Sequence, residues 1–335
     1  MSAIGKIANI DSIVAMRIQV IVLDGVFDTG LATMLDAFRT ANELAEMFSL
    51  TSVRFDVAIV GMRRAVKTSQ GLIVPVVPAP SRIVPDWVVV PAIGFKMPGP
   101  LQTALKRSDV SDAACVLRSH FERGAAAAAA CVGTFVLAES GLLDNHDATT
   151  TWWLAPLFRQ RYPQVRLDES RMIVKSGKMV TAGAALSHMD LALWIIRQKS
   201  PRLAALTAKY LVVDSRPSQS AYTLVDHLAH SDPVVERFER WARSALAHGF
   251  SLDAAAAATS SSKRTLARRM RTVLGKSPLS YFQDLRVERA VHLLKTTDQT
   301  VEEIAVRVGY ADGVTLRTLL RRRLGYGIRE LRRGF

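Results

Sequence analysis

The C-terminal part of the chain contains an internal repeat with a period of fifty residues, and this repeat limits the possible folds more than any other feature of the sequence. Identical residues recur at equivalent positions: Ala255 and Ala305, Thr265-Leu266 and Thr315-Leu316, Arg271 and Arg321, Leu274-Gly275 and Leu324-Gly325. Each copy predicts a short helix with alanine in its middle, a tight turn, and a second helix that ends at Leu-Gly. Gly309 suits the turn, because glycine adopts a left-handed backbone conformation at little cost. The repeat therefore predicts two helix-turn-helix units.

The second helix of each unit has an apolar face and a cationic face. In the first unit the helical spacing of Leu266, Met270, Val273 and Leu274 predicts a core face. The residues predicted to face DNA are Lys263, Arg264, Ala267, Arg268 and Arg271 in the first unit, and Thr315, Arg317, Arg321 and Arg322 in the second. Arg323 is also predicted to point outward, while Gly313, Val314 and Thr318 occupy the front of the second helix. We therefore expect the second helix to read fewer bases and to bind more backbone phosphate.

A long amphipathic stretch joins the two units. Residues 278–294 place Tyr281, Phe282, Leu285, Ala290, Leu293 and Leu294 at helical spacing. One rigid helix of this length could hold the two units about one helical turn of DNA apart.

The charge of the chain is concentrated in the same region. Lys and Arg number 44 against 30 Asp and Glu, which gives a formal net charge of +14. Residues 251–335 contain 17 Lys and Arg against 8 Asp and Glu, which is +9 of that total. A basic surface of this kind attracts the phosphate backbone of DNA. On charge alone, a solvated basic surface without nucleic acid explains the composition equally well.

The first half of the chain predicts an α/β sandwich over about residues 15–210. Short apolar runs typical of buried parallel strands span residues 18–23, 57–60, 73–77 and 87–90. Residues 31–48 and 186–197 show helical spacing, and residues 172–180 predict a hairpin that turns at Ser176-Gly177. Residues 125–130 are six alanines, which favour a helix by intrinsic propensity.

The ordinary signals for export, membrane insertion and disulfides are missing from the sequence. Cys115 and Cys131 are the only cysteines, Lys6 and Asp11 interrupt any signal-like apolar stretch, and the longest small-residue run is too short to span a bilayer. We expect a bacterial cytoplasmic protein that contacts no membrane.

Residues from about 234 to 333 resemble the DNA-binding domain of the AraC/XylS family of transcription regulators. The residues that carry the resemblance are Leu266, Arg268, Met270, Gly275, Ser277-Pro278, Tyr281, Arg286, Arg289-Ala290, Ile304-Ala305, Val308-Gly309-Tyr310, Asp312, Leu316, Leu320, Gly325 and Arg332. The resemblance implies that Arg264, Ala267 and Arg268 face the bases. The second unit departs from the family at Leu316, Leu320, Thr318 and Ile328, where the family usually has two aromatic residues, an Arg and a Pro.

Residues from about 15 to 210 resemble the PfpI/ThiJ-like, glutamine-amidotransferase-like domain of GlxA-type AraC regulators. The matching residues are 130–138, 141–144, 148–150, 162–163, 181–183 and 190–193. The resemblance implies that the alanine run is a buried strand and that Cys131 lies at the sharp turn between this strand and a helix. Related hydrolases carry a histidine just after the Ala-Thr-Thr stretch, but this chain has Thr151-Trp152 there.

Three roles are open for Cys131: lining of a ligand pocket, which we favour, a structural turn residue, and a nucleophile. Nucleophilic catalysis needs a base near the thiol, and neither His146 nor His188 lies at the motif position. His227 and His230 share only a helix face, so we read them as surface residues and expect no metal site.

Together these patterns predict a flavodoxin-like, class I glutamine-amidotransferase-like α/β sandwich followed by an all-α domain with two helix-turn-helix units. The predicted boundaries are a ligand-sensing and dimerisation domain at 15–212, a linker at 213–232, and a DNA-binding domain at 233–335.

The predicted effector pocket comprises Asp24, Cys131, Val132, Gly133, Thr151 and Trp152. The expected partners are double-stranded DNA, a small effector such as an amino acid or an amine, a second copy of the chain, and RNA polymerase if the protein activates transcription; no cofactor is expected. The alternatives are a cysteine hydrolase with an accessory basic domain and a non-specific, nucleoid-like DNA binder.

Overall fold

The computed structural model describes residues 14–50, 53–79, 83–214, 219, 232–324 and 327–333. Backbone contacts divide these residues into two units. The first unit comprises the described residues up to Leu143 and from Lys175 to Asp214, and the second comprises Asp144–Val174 and the described residues from Gln219 onward. Most of the predicted linker, with His227 and His230, lies outside the described residues, as does Gly325.

The first unit is built on a seven-stranded sheet. Its strands are β1 Val14–Val22, β2 Val53–Gly61, β5 Val77–Pro78, β6 Trp87–Val90, β7 Ala126–Ala130, β10 Ile173–Ser176 and β11 Met179–Ala182. Their order in the sheet is β10-β11-β7-β6-β1-β2-β5. The pairs from β11 through to β5 are all parallel, and β10 joins β11 as the predicted hairpin, with Gly177 in its turn. The predicted α/β sheet is confirmed.

Helices cover this sheet, as crossover connections between parallel strands require. They are α1 Asp28–Met47, α2 Pro98–Ala104, α3 Ser108–Glu122, α4 Gly133–Glu139, α6 Ser187–Lys199 and α7 Pro201–Tyr210. The predicted helices at 31–48 and 186–197 correspond to α1 and α6. In α1, Leu31, Met34, Phe38 and Ala41 are buried, so the apolar spacing read from the sequence is the face that packs inward.

The alanine run forms the buried strand β7, between β6 and β11. Ala127 to Ala130 are fully enclosed, and β7 pairs on both edges, Trp87 with Ala126 on one side and Met179 with Ala127 on the other. Sheet pairing on two edges outweighs the helix propensity of alanine, which is only a few tenths of a kcal/mol to about 1 kcal/mol per residue.

The prediction of a buried parallel strand at residues 73–77 was wrong. Residues Ile73–Pro75 form the short strand β4, which pairs antiparallel with β3 Ala65–Lys67, and Ile73 is 66% exposed. Only β5 joins the main sheet, as an edge strand against β2. Pro75 and Pro78 explain the difference, because proline has no amide hydrogen to donate to a neighbouring strand.

The second unit contains the helices that follow the predicted linker. They are α8 Pro233–Ala245, α9 Leu252–Ala258, α10 Lys263–Leu274, α11 Pro278–Thr296, α12 Val301–Arg307, α13 Gly313–Leu324 and α14 Ile328–Arg333. Two separate cores form. Phe238, Leu266 and Met270 belong to the first, and Ile304, Leu316 and Leu320 belong to the second.

The long helix α11 contributes to both cores. Its first half places Tyr281, Phe282 and Leu285 in the first core, and its second half places Ala290 and Leu293 in the second. The predicted stiff spacer between the two helix-turn-helix units is confirmed, and the same helix is also part of each unit's interior.

Residues 144–174 complete the second unit. They contain β8 Asp147–Ala148, β9 Arg166–Leu167, a single 3-10 turn at Trp152–Leu154 and helix α5 Ala155–Arg161. Helix α5 packs against α10. Arg159 of α5 forms an ion pair with Glu169 and lies against Gly275, where an added Cβ would be only 2.2 Å from the Arg159 Cζ atom.

Candidate DNA interface and effector pocket

The starts of α10 and α13 are fixed by side-chain caps at equivalent positions of the repeat. The Ser262 hydroxyl accepts a hydrogen bond from the Thr265 amide at 3.1 Å. The Asp312 carboxylate accepts one from the Thr315 amide at 2.7 Å, and this bond lowers the pKa of Asp312. Such caps satisfy amides that the first turn of a helix leaves unpaired. Helices α10 and α13 therefore begin in the register that the fifty-residue repeat predicts.

Helix α10 buries one face and exposes the other. Leu266, Met270 and Leu274 are buried, and Val273 is half-buried. Of the predicted DNA-facing residues, Lys263, Arg264, Arg268 and Arg271 are exposed and Ala267 is half-buried. Lys263 pairs with Asp253 at 2.5 Å. Within the described part of the chain, the other three cations form no ion pair, so their charges are available to a ligand.

Helix α13 repeats this arrangement with fewer uncommitted charges. Leu316, Leu320 and Leu324 are buried, whereas the predicted contact residues are exposed: Thr315, Arg317, Arg321 and Arg322. Arg317 pairs with Glu302 of α12 at 2.7 Å, and the Thr315 hydroxyl donates to Asp312. Arg321 and Arg322 have no ion-pair partner among the residues that the structure describes.

Two residues of α13 were wrongly assigned to its outer surface. The Arg323 guanidinium donates to the Asp284 carboxylate of α11 at 2.9 Å, and Lys276 binds the same carboxylate at 2.9 Å. Gly313 is buried against Glu302, where an added Cβ would be 2.6 Å from Oε1. Arg323 therefore ties α13 to the spacer helix, and Gly313 allows α12 and α13 to approach each other.

Arg286 of α11 connects the two helix-turn-helix units. Its Nε and Nη2 atoms donate to the Leu246 carbonyl at 3.0 and 2.8 Å, and its guanidinium lies over the rings of Phe282 and Tyr310. Gly309, with a φ of 81°, lies under this group, where a Cβ would be 2.2 Å from Arg286 Nη2. Sequence reasoning used Arg286 and Tyr310 only as family markers and did not predict these contacts of Arg286 with Leu246 and Tyr310, which we call the Arg286 joint.

The strand-to-helix turn predicted at Cys131 is confirmed. Cys131 lies between β7 and α4 with a φ of 54° and is 3% exposed, and its amide donates to the Ala182 carbonyl at 2.7 Å. Val132 is buried as well. A Cβ at Gly133 would be 2.3 Å from the Val90 carbonyl oxygen, so only glycine allows α4 to start so close to β6.

The remaining predicted pocket residues are Asp24 in the first unit and Thr151 and Trp152 in the second. The Asp24 carboxylate pairs with Arg63 at 2.8 Å and accepts from the Lys67 amide. Thr151 and Trp152 fall in the second unit, where both are buried. The Thr151 hydroxyl has no hydrogen-bond partner among the described residues, and neither does the buried hydroxyl of Thr134, which sequence reasoning did not consider. Such a group is open to a ligand or a water molecule.

His188 is part of the interior of the first unit. Its Nε2 accepts from the Ala92 amide at 3.0 Å, so its Nδ1, 2.9 Å from the Ala185 carbonyl, carries the proton and donates. Burial lowers the pKa of His188 from 6.5 to about 4, although the bond to the Ala185 carbonyl acts in the opposite direction. Both ring nitrogens of the neutral His188 side chain are therefore hydrogen-bonded to backbone groups.

The described residues contain no group of three or more His, Cys, Asp or Glu side chains arranged to hold a metal ion. None of the described helices is both long and apolar enough to cross a membrane.

The model of the DJ-1/PfpI family matches residues 16–198, which is more than half of the chain. The chain belongs to the DJ-1/PfpI family. A helix-turn-helix domain model matches residues 255–334, which include both predicted units. The predicted combination of a PfpI-like domain with an AraC-type helix-turn-helix domain is confirmed.

The similar proteins include curated regulators and a solved structure. The chain is 24% identical to the HTH-type transcriptional regulator GbdR of Pseudomonas aeruginosa over 234 residues, 69% of this chain and 64% of that protein. It is 35% identical to the HTH-type transcriptional activator RhaS of an Enterobacter species over 112 residues, 33% of this chain and 40% of that protein. Both alignments span less than two thirds of the relative's length.

The fold is also similar to that of a solved structure, a putative transcriptional regulator protein from Vibrio parahaemolyticus. The match has a TM-score of 0.50 and 21% identity, and it covers 59% of this chain and 99% of that one. At this identity the likeness supports the fold alone.

Proposed function

We propose that the protein is a transcription regulator that binds specific double-stranded DNA through α10 and α13, and that its PfpI-like domain binds a small polar effector without catalysing a reaction. The observation that carries the DNA-binding part is the pair of duplicated helices, each with exposed arginines opposite a buried leucine face, on one spacer helix. The similar proteins GbdR and RhaS are named as an HTH-type transcriptional regulator and an HTH-type transcriptional activator, which supports this proposal.

The state of the arginines supports DNA as the partner. Arg264, Arg268 and Arg271 project from one face of α10 and are uncommitted within the described chain. An exposed arginine that already has a carboxylate partner must give it up to bind phosphate, whereas these three need not. Arginine near the start of such a helix can form two hydrogen bonds with guanine in the major groove.

The residues at the candidate base positions support a domain without catalysis. A cysteine nucleophile needs a base, and the family's histidine position holds Thr151. His188 cannot serve, because its Nε2 already accepts from the Ala92 amide, its Nδ1 donates to the Ala185 carbonyl, and a pKa of about 4 makes the ring a weak base. The buried hydroxyl of Thr151, which has no hydrogen-bond partner among the described residues, is instead suited to bind a polar effector such as an amino acid, an amine or a quaternary ammonium compound.

The alternative is a cysteine hydrolase with an accessory DNA-binding domain. The rate of Cys131 alkylation by iodoacetamide near neutral pH distinguishes the two, with the Cys131→Ser variant as control for Cys115. A regulator without an activated thiol should react at Cys131 no faster than a simple thiol. A reaction many times faster would favour the enzyme.

Effector binding can reach α10 through the segment that carries Thr151 and Trp152. These residues directly precede α5, and α5 packs against α10 in the second unit, with Arg159 against Gly275. A ligand that favours one position of α5 would therefore favour one position of α10. We propose in addition that the protein acts as a homodimer and that it contacts RNA polymerase if it activates transcription.

The experiment that tests the function is selection of DNA fragments by the purified full-length chain, with and without a panel of amino acids, amines and quaternary ammonium compounds. We expect one enriched motif with two half-sites about one helical turn apart, since one protein chain holds both units. Enrichment of no motif would favour a nucleoid-like binder over a regulator.

A further inference from the structure

The front of α13 carries an apolar side chain where α10 carries a cation. Val314 is 66% exposed, although it lies in the first turn of a helix whose other large apolar residues are buried or half-buried. Valine is a poor helix former and gains nothing from exposure to water. The stability of the second helix-turn-helix unit therefore does not explain why a valine occupies this position.

The repeat places Val314 on the DNA-facing side. Its equivalent in the first helix-turn-helix unit is Arg264, fifty residues earlier, which is exposed and forms no ion pair with the described residues. The Asp312 cap fixes the start of α13 as Ser262 fixes that of α10, so the two side chains project from the same turn of equivalent helices.

The next turn of α13 presents a second methyl group. The Thr318 hydroxyl donates to the Val314 carbonyl at 3.0 Å, which leaves the methyl group as the uncommitted part of this exposed side chain. Arg317 and Arg321 flank these residues and are exposed. An apolar strip bordered by arginines fits a polyanion that offers an apolar group between its charges.

The geometry points to Val314 as a residue that reads the C5 methyl group of a thymine in the major groove of the second half-site. This inference rests on the proposed binding of DNA by α13 and specifies what that helix recognises. Thymine is the one base of DNA whose major-groove edge carries a methyl group. Valine has no donor or acceptor in its side chain, so it discriminates thymine from cytosine by contact between methyl groups and not by hydrogen bonds.

The test uses the DNA fragment selected by the full-length chain, with each thymine of the second half-site replaced in turn by deoxyuridine, which lacks only the methyl group. We expect one position at which this replacement weakens wild-type binding about fourfold, the effect of exposing one methyl group to water. Val314→Ala should bind the thymine fragment about as weakly and lose nothing further on the deoxyuridine fragment.

Val306 provides the matched control, because it is 64% exposed on α12, the first helix of the same unit. Val306→Ala should keep both wild-type affinity and the deoxyuridine effect. The inference is overturned if Val314→Ala remains as sensitive to deoxyuridine as the wild type, or if it binds DNA normally and loses only transcription activation, which would assign Val314 to a protein contact. Failure of the proposed function differs from both, since no variant would then prefer the selected fragment over random DNA.

Discussion

At the scale of single residues, His188 makes the stability of the first unit depend on pH. The folded state keeps the ring neutral down to about pH 4, whereas the unfolded chain takes up a proton below about pH 6.5. The stabilisation is therefore complete above pH 6.5 and is lost as the pH falls toward 4.

The expected loss is about 2 kcal/mol of unfolding free energy between pH 7 and pH 5. Urea unfolding at both pH values measures it, with His188→Gln as the comparison. The difference between the two pH values should be clearly smaller in the variant. An equal difference in both proteins would show that His188 titrates normally.

Arg268 and Arg322 test the division of labour among the exposed arginines. Arg268 lies on the exposed side of α10 that we propose faces the bases, whereas Arg322 lies in the last turn of α13. Arg268→Ala should weaken binding to the selected DNA by about 1–3 kcal/mol and relax the preference at one base pair. Arg322→Ala should weaken binding to all DNA alike and lower the salt dependence by about one phosphate contact. Equal losses on specific and random DNA for both variants would contradict this division.

Residue-scale prediction from sequence succeeded where helical spacing alone decides burial. Leu266, Met270 and Leu274 set the inner face of α10, and the opposite cations had to be exposed. It failed for Arg323 because the partner, Asp284, lies 39 residues away in the chain. A local sequence pattern does not predict a contact between residues so far apart in the chain, and the same applies to the contact between Arg286 and Leu246.

At the scale of elements, the Arg286 joint should set how rigidly the two helix-turn-helix units are spaced. Arg286→Lys keeps the charge but cannot make the paired bonds to Leu246 or cover two rings as a flat group. Wild-type binding should fall steeply when one base pair is inserted between the half-sites, and the variant should lose less.

Electrophoretic mobility shift titrations of the original and the lengthened DNA measure this effect. Arg289→Lys, on the same helix, serves as a control for the general effect of replacing arginine. If both variants keep the spacing preference of the wild type, the joint does not set the spacing.

Element prediction was accurate where a pattern is long and failed where it is short. The nineteen residues of α11 form one helix, as their spacing predicts. Five alanines, four of them buried, form β7, and the family resemblance identified this strand in spite of their helix propensity. Residues 73–77 have the composition of a buried strand, but two prolines limit their pairing to short edges. Helix-breaking and strand-breaking residues thus carried more information than the apolar run itself.

At the scale of the whole molecule, the sequence predicted an α/β part and a helical part, and the structure has both. It did not predict that residues 144–174, which follow the family pattern of the first part, pack within the second unit through α5 and α10. Contacts of that kind depend on surfaces far apart in the chain, such as Arg159 on Gly275. The segment therefore carries the proposed link between effector and DNA.

The most direct test of the account is the affinity of the full-length chain for its selected DNA fragment and for random DNA, measured from 50 to 200 mM salt. Binding to the selected fragment should remain at least about a thousandfold tighter than to random DNA, and both should weaken steeply with salt as counterions return to the phosphates. Equal affinities for the two DNAs at every salt concentration, or binding that salt does not change, would contradict the account.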